Sequence, residues 1–337
     1  MANLTMRVEN QPENKVRSSS SRQYLNRRTG EAYLFLLPYI LFMLAFGLGP
    51  GIYAFLISFA DYSTGLPRYF AAGIKNYLTV FKDQRFGFTF ANIGEFLIIS
   101  VPIGIALVVL LALFLHMWPG RVASTLRTLF FIPGAAAGPA VVLLVIFMLT
   151  PSLSPFGFLL KSMGFKAFND IITPASLAFI FLIMGFFVGA GMWIAIQYGA
   201  LEGISTEVME AATMDGCNAW QKALYIKLPL IQPYIIYQFI LIFAGNVQLF
   251  VEPQLLGNQT YIKANVPLVW SPNQLAYSFA FDVGNFGAAA ALALIMLAIG
   301  LGASYLMVRW TGFFNMEKKT RVVLEMIGYS GKGVFIW

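Results

Sequence analysis

Six apolar runs, at residues 33–59, 93–117, 129–149, 175–198, 231–251 and 286–308, constrain this chain more than any single residue does. At 1.5 Å of rise per residue, a helix of about twenty residues crosses the roughly 30 Å hydrocarbon layer of a bilayer. Inside that layer every backbone N–H and C=O needs a partner within the protein, and a run of this length meets the need as a helix. A soluble domain is excluded: 58% of the 337 residues are hydrophobic and 11% charged, against roughly a quarter charged in ordinary soluble domains. The expected fold class is an all-α integral membrane protein with six transmembrane helices.

Charge sets the orientation. The net charge of +7 does not point to nucleic acid, because the basic residues sit at the ends of apolar runs and form no continuous stripe. Six spans place both termini on one side. That side, which also carries the turn after the second run and a polar island at 199–230, holds 15 of the 22 lysines and arginines, and the opposite loops hold 7. By the positive-inside rule, the termini and the island are cytoplasmic in a multi-pass cell-membrane protein. Residues 1–32 are basic, with a serine run at 18–21, and are expected as a flexible cytoplasmic tail and not as a secretory signal. Residues 311–337 are expected as a cytoplasmic C-terminal tail, either a basic interfacial helix around Lys318, Lys319 and Arg321 or a frayed end.

Little in the sequence supports catalysis. A single cysteine, Cys217, excludes an internal disulfide, and a single histidine, His116, leaves no Cys/His cluster for a metal. Gly331-Lys332 lacks the rest of a phosphate-binding loop. No cofactor is expected on this chain, and any ATP and Mg²⁺ would belong to another protein. Pro38, Pro50 and their glycines predict a kink in the first run, and the glycines and proline from Pro133 to Gly138 allow close packing or a break in the third. Gly185, Gly189 and Gly191 offer a small-residue face in the fourth, and Gly287 and Ala291 mark a close helix contact in the sixth. Asp61 to Ala91 is expected as an ordered loop or a re-entrant surface helix. Glu95, placed near the start of the second span, is either interfacial or part of a polar path.

The island is the feature that calls for a function. Ser205 is a candidate N-cap, and Glu207 suits the first turn of a helix running through Glu210-Ala211-Ala212 to Asp215, where Gly216 stops it. A second short helix is expected from Asn218 to Lys227, ended by Pro229. These residue types supply no nucleophile, base or metal ligand, so the role is contact. The helix either docks on a partner or lies in the headgroup region.

Glu210-Ala211-Ala212, then three residues, Gly216, nine residues and Ile226-Lys227-Leu228-Pro229, resembles the EAA loop of permease subunits of binding-protein-dependent ABC importers. Tyr33-Leu34-Phe35-Leu36-Leu37-Pro38 and Ser58-Phe59-Ala60-Asp61-Tyr62 are similar to the sugar permeases of the maltose and glycerol-phosphate importer type. The resemblance runs from about Tyr33 to Trp310, so that 33–310 would be the permease domain and 200–230 its coupling loop. It implies the type I importer fold and a pathway shared with a second permease subunit, expected to form a heterodimer. Two ATP-binding cassette subunits would dock on the loops through Glu210, Ala211, Ala212, Asp215, Gly216, Ile226, Leu228 and Pro229. An extracytoplasmic solute-binding protein would deliver a sugar or related polar solute. One departure is Leu255-Leu256-Gly257-Asn258-Gln259-Thr260, where many carbohydrate permeases carry a Thr-Gly-Gly-Pro-like segment.

For the pathway itself, Gln238, Asn246, Gln248 and Glu252 share about half the circumference of the fifth span, together with Gly245. Inside a bundle such groups either contact a hydroxylated solute or bond neighbouring helices. Gln197 and Tyr198, at the end of the fourth span, are weaker candidates. A self-sufficient secondary transporter or channel would also explain six spans and a polar helix face, but it would leave the EAA spacing without a cause.

Overall fold

The computed structural model describes residues 33–62, 66–135, 138–257, 267 and 269–311. The expectations for the two tails, and for Asn258, Gln259 and Thr260, lie outside these residues. Among the described residues all regular structure is helical, and the only β pairing is an isolated bridge between Asp61 and Arg68. The chain divides into two compact units, one ending at Leu56 and one beginning at Ile57.

The first helix, α1 (Tyr33–Ser58), is 26 residues long. A proline within a helix lacks an N–H and crowds the carbonyl four residues back. The disturbance at Pro50 takes the form of a widened π segment, Met43–Leu48, in which the Gly49 N–H reaches back to the Leu44 carbonyl. The wider turn gives the following proline room.

In the second unit, α2 (Lys75–Lys82) lies within the stretch expected as a loop or surface helix. It is followed at once by α3 (Gln84–Met117), whose 34 residues begin well before the apolar run does. Asp83 starts α3, its side chain accepting from the Arg85 N–H. Glu95 therefore sits over three turns into α3, on its exposed side, and not near its start. Ordering at the α1–α2 junction comes from Asn76, whose Nδ2 donates to the Ser58 and Ala60 carbonyls at 2.9 and 2.8 Å.

The third apolar run breaks. Helix α4 (Arg121–Phe131) tightens into a 3₁₀ turn, Ile132–Ala135, and α5 (Gly138–Leu149) leaves at 108° to it. Pro139 lies in the first turn of α5, where a missing N–H costs nothing. The pair is one broken span or a re-entrant loop. Two short helices, α6 (Gly157–Ser162) and α7 (Phe168–Ile171), lead into α8 (Leu177–Glu202).

After the island come α11 (Gln232–Val247) and α12 (Val251–Gly257), which together form a 26-residue candidate span. The stretch from Glu252 to Asn285 also holds α13 (Pro272–Tyr277), capped reciprocally by Ser271 and Gln274. The last helix is α14 (Phe286–Thr311). Among the described residues five candidate spans are present, or six with the bent pair counted as one.

Parallel packing of α3 on α8, from Phe96 against Phe181 to His116 against Tyr198, is the spine of the second unit. Lipid tails are as apolar as leucine, so association in a bilayer depends on fit, and small residues set how closely backbones approach. An ideal Cβ on Gly191 would stand 2.5 Å from Phe131 Cα and within contact of the Phe130 carbonyl. On Gly134 it would lie 2.9 Å from the Val188 carbonyl. These two glycines let α8 cross the broken span. Gly185 and Gly189 meet no neighbouring helix in this way. Gly287 of α14 presses on Asn76 and Ala60, and Ala291 is fully buried. At the end away from the island, Phe96, Phe181 and Trp270 interlock edge to face, with centroids 4.9 to 6.3 Å apart.

Candidate functional site

The island folds as a stalk of short helices joined to the ends of α8 and α11. Helix α9 (Thr206–Met214) starts at Ser205, whose backbone is extended as an N-cap requires, although its side chain makes no capping bond; Glu207 occupies the first turn. Its other end is closed more firmly. Gly216 adopts φ +80°, its N–H bonds the Thr213 carbonyl at 3.0 Å, and the Cys217 N–H bonds the Ala212 carbonyl at 3.0 Å. These two bonds form a Schellman stop, which needs a residue that tolerates the left-handed conformation.

Asn218 then opens α10 (Ala219–Lys222) by a reciprocal capping box with Gln221, with bonds of 2.8 and 2.9 Å. A second π segment, Ala223–Lys227, follows, with the Leu228 N–H bonded to the Ala223 carbonyl immediately before Pro229. This repeats the arrangement at Pro50. Pro229 does not end the helix, which continues to Leu230 and bends at Ile231.

The two faces of the stalk differ. Ala212, Ala223 and Ile231 are buried, the last two in a core with Val109, Ala112 and Leu113 of α3 and Leu201 of α8. Glu210, Ala211, Asp215, Gly216 and Pro229 are exposed, and Ile226 and Leu228 are half-buried. Large apolar side chains also point outward: Met214 is 88% exposed and Tyr225 77%, with Trp220 and Leu224 between them.

The polar residues of α11 do not act as one face. Gln238 is fully buried and accepts through Oε1 from Gln197 Nε2 at 2.8 Å, tying α11 to α8. Gln197 Oε1 and Gln238 Nε2 are left without partners. Asn246 Nδ2 donates to Ser100 Oγ of α3 at 3.1 Å. The helix stops at Val247, so Gln248 and Glu252 lie at and beyond a break, and the Gln248 carbonyl accepts from Asn273 at 2.7 Å. Of the two sequence readings, interhelical bonding describes Gln238 and Asn246 in this conformation. Between α3, α8 and α11 lies a cavity of about 240 Å³ lined by Gly104, Gly185, Gly189 and Gly245, with Ser100 and Asn246 as its polar edge.

Residues 33–310 match the family described as the inner membrane component of binding-protein-dependent transport systems. The chain belongs to that family.

Relatives of this permease component include the arabinooligosaccharides transport system permease protein AraP of Bacillus subtilis. AraP is 25% identical over 90% of this chain and 95% of its own length. The trehalose/maltose transport system permease protein MalF of Thermococcus litoralis is 25% identical over 84% of this chain and 93% of its own. Among solved structures, a chain of a bacterial alginate ABC transporter in complex with an alginate-pentasaccharide-bound periplasmic protein superposes with a TM-score of 0.71. It is 20% identical, over 83% of this chain and 93% of that one, and it shares the fold.

Within the permease, sequence reasoning passed over three residues that the fold makes important. Ser100 is a lone hydroxyl in an apolar run, a visible signal whose partner Asn246 was not. Lys227, inside Ile226-Lys227-Leu228-Pro229, is only 7% exposed. His116, without assigned function in sequence, is its neighbour, with Lys227 Nζ 2.8 Å from His116 Nδ1.

Proposed function

We propose that this permease is one of two transmembrane subunits of an ABC importer that passes a sugar, oligosaccharide or related polar solute into the cytoplasm. It works with a second, different permease, two ATP-binding cassette subunits that bind ATP and Mg²⁺, and an extracytoplasmic solute-binding protein. The termini and the stalk are cytoplasmic, with 33–310 as the permease domain, 200–230 as its coupling loop, and 1–32 and 311–337 as tails. The observation that carries the reading is the stalk itself. Closed at Gly216 and rooted in the core shared with α3 and α8, it presents Glu210, Ala211, Asp215 and a row of exposed apolar side chains that no other part of the described chain covers. Such a surface needs a socket.

Mechanically, the small Ala211 lets a partner approach closely, and Glu210 offers a charge to a basic group or helix N-terminus on the ATPase. ATP-driven closure of the two ATPases moves the stalks, and the root passes that motion to α3 and α8. The solute class rests on the relatives, which are named for the transport of arabinooligosaccharides and of trehalose and maltose. Hydroxyl-rich solutes also suit the amides of Gln238, Asn246 and Gln248 and the carboxylate of Glu252, should these line the open pathway.

Reconstitution of the permease with its partner subunits and loaded binding protein in proteoliposomes tests the proposal. Glu210→Lys is expected to leave the chain inserted while abolishing ATPase association or ATP-coupled uptake. Unchanged sugar uptake per ATP in that variant would remove the coupling role.

A further inference from the structure

Where the stalk rejoins the bundle, a buried lysine, Lys227, pairs with no carboxylate among the described residues. Lys227 Nζ meets His116 Nδ1, near the end of α3, at 2.8 Å. An ammonium has three donors and no acceptor, so Nδ1 must supply the lone pair, which leaves the ring proton on Nε2. The backbone of Leu201 at the end of α8 lies near the same ring. One neutral imidazole thus joins the stalk to the end of α3, beside the end of α8.

The charged and titratable groups around it come from every packed element. Helix α8 contributes Tyr198, whose ring lies 5.4 Å from that of His116, and the nearby carboxylate of Glu202. Helix α4 contributes Arg127, stacked over Tyr198 at 3.8 Å. The stalk contributes Lys222 and Lys227 itself.

We propose that Lys227 and His116 form a proton-gated latch, which holds the base of the stalk to α3 while the imidazole is neutral and releases it when the ring gains a proton. The incoming proton goes to Nδ1, the atom that accepts from Nζ, so the hydrogen bond is replaced by two facing cations. The sign follows directly: the latch is closed above the imidazole titration and opens as cytoplasmic pH falls through it. Burial, and then nearby Lys222, push the Lys227 ammonium below its ordinary value, which sets an alkaline limit as well. In the importer, which is the reading on which the latch's role in transport rests, release disconnects stalk motion from α3.

The composition favours a direct test, since His116 and Cys217 are the chain's only histidine and cysteine. The full chain in lipid nanodiscs, with isotope-labelled histidine and a nitroxide on Cys217, is titrated from about pH 8 to about pH 5, across the ordinary imidazole range. The Nε2–H tautomer and an immobile label are expected at the upper end. Over the pH range in which the ring resonances titrate, the stalk should shift towards the mobile form by about tenfold, the worth of a charge-assisted bond.

Lys227→Met should leave the label mobile throughout. His116→Gln, whose amide oxygen can accept from Lys227 but cannot gain a proton, should hold it immobile throughout. A wild-type label indifferent to pH, an immobile Lys227→Met, or a His116→Gln that titrates like wild type would overturn the latch. In the assembled importer, uptake per ATP should fall at acid pH for wild type and not for His116→Gln. If the spectroscopy behaves as expected but ATPases never engage the wild-type stalk, the functional reading fails and the latch stands.

Discussion

Gly216 offers the cleanest perturbation of the stalk, because its side-chain position is open. A Cβ added there meets nothing within 4 Å, so a substitution acts only through the backbone, held at φ +80°. Alanine in that conformation costs about 1–2 kcal/mol, a factor of roughly 5 to 30 in the population of the closed stop. Asparagine, which visits the left-handed region more readily, should cost less. Proline cannot reach positive φ and also removes the N–H that bonds Thr213.

The expected order of stalk integrity is therefore Gly, Asn, Ala, Pro. Hydrogen exchange at the Cys217 amide, whose bond to Ala212 completes the stop, reads the local opening. Solute carried per ATP in proteoliposomes reads the consequence, and it should fall in the same order. Wild-type protection and coupling in Gly216→Ala, or an asparagine variant worse than the alanine one, would refute the argument from backbone geometry.

Other expectations follow from the packing. Gly191→Ala drives a methyl into the Phe130–Phe131 backbone, and overpacking of this kind costs about 1–3 kcal/mol; it should lower the thermal midpoint in detergent, whereas Gly185→Ala, with open space around it, should not. Gln238→Leu leaves the buried Gln197 amide without its partner, at about 1–3 kcal/mol, whereas Gln197→Leu with Gln238→Leu should recover most of that loss. Equal destabilisation by the single and double changes would argue against the pair as a structural tie.

The hydrogen bonds from Arg85 hold the Asp83 carboxyl below the ordinary carboxylate range. A depressed carboxylate contributes stability above its unfolded value of about 3.9, and that contribution is lost as pH falls through the folded one. Asp83→Asn should therefore lower the melting temperature near neutrality and flatten its acid dependence below about pH 4, as scanned calorimetry can measure.

Much of this protein is written in local pattern. Six hydrophobic runs imply helices wherever water is absent, because a backbone in lipid has no other partner for its polar groups. The stalk was legible for a related reason. Asn218 with Gln221, and Gly216 at a helix stop, act over three or four residues, and their chemistry is visible in sequence. Boundaries were less accessible: α3 begins at Gln84, since its first turns are stabilised by Asp83, α2 and α13, not by apolar periodicity.

Long-range choices belong to the tertiary structure. Periodicity placed Gln238, Asn246, Gln248 and Glu252 on one side of a continuous helix, but the break after Val247 separates them and the partners Gln197 and Ser100 absorb the first two. The glycine-rich entrance to the third run allowed close packing or a break, and the bend carries both, because Gly134 and Gly191 let α8 cross against the backbone. Sequence alone determined that the chain spans a membrane and carries a stalk of short capped helices, since each depends on residues close together in the chain. Only the folded chain decided which polar groups meet, and so paired Lys227 with a histidine 111 positions away at the root of that stalk.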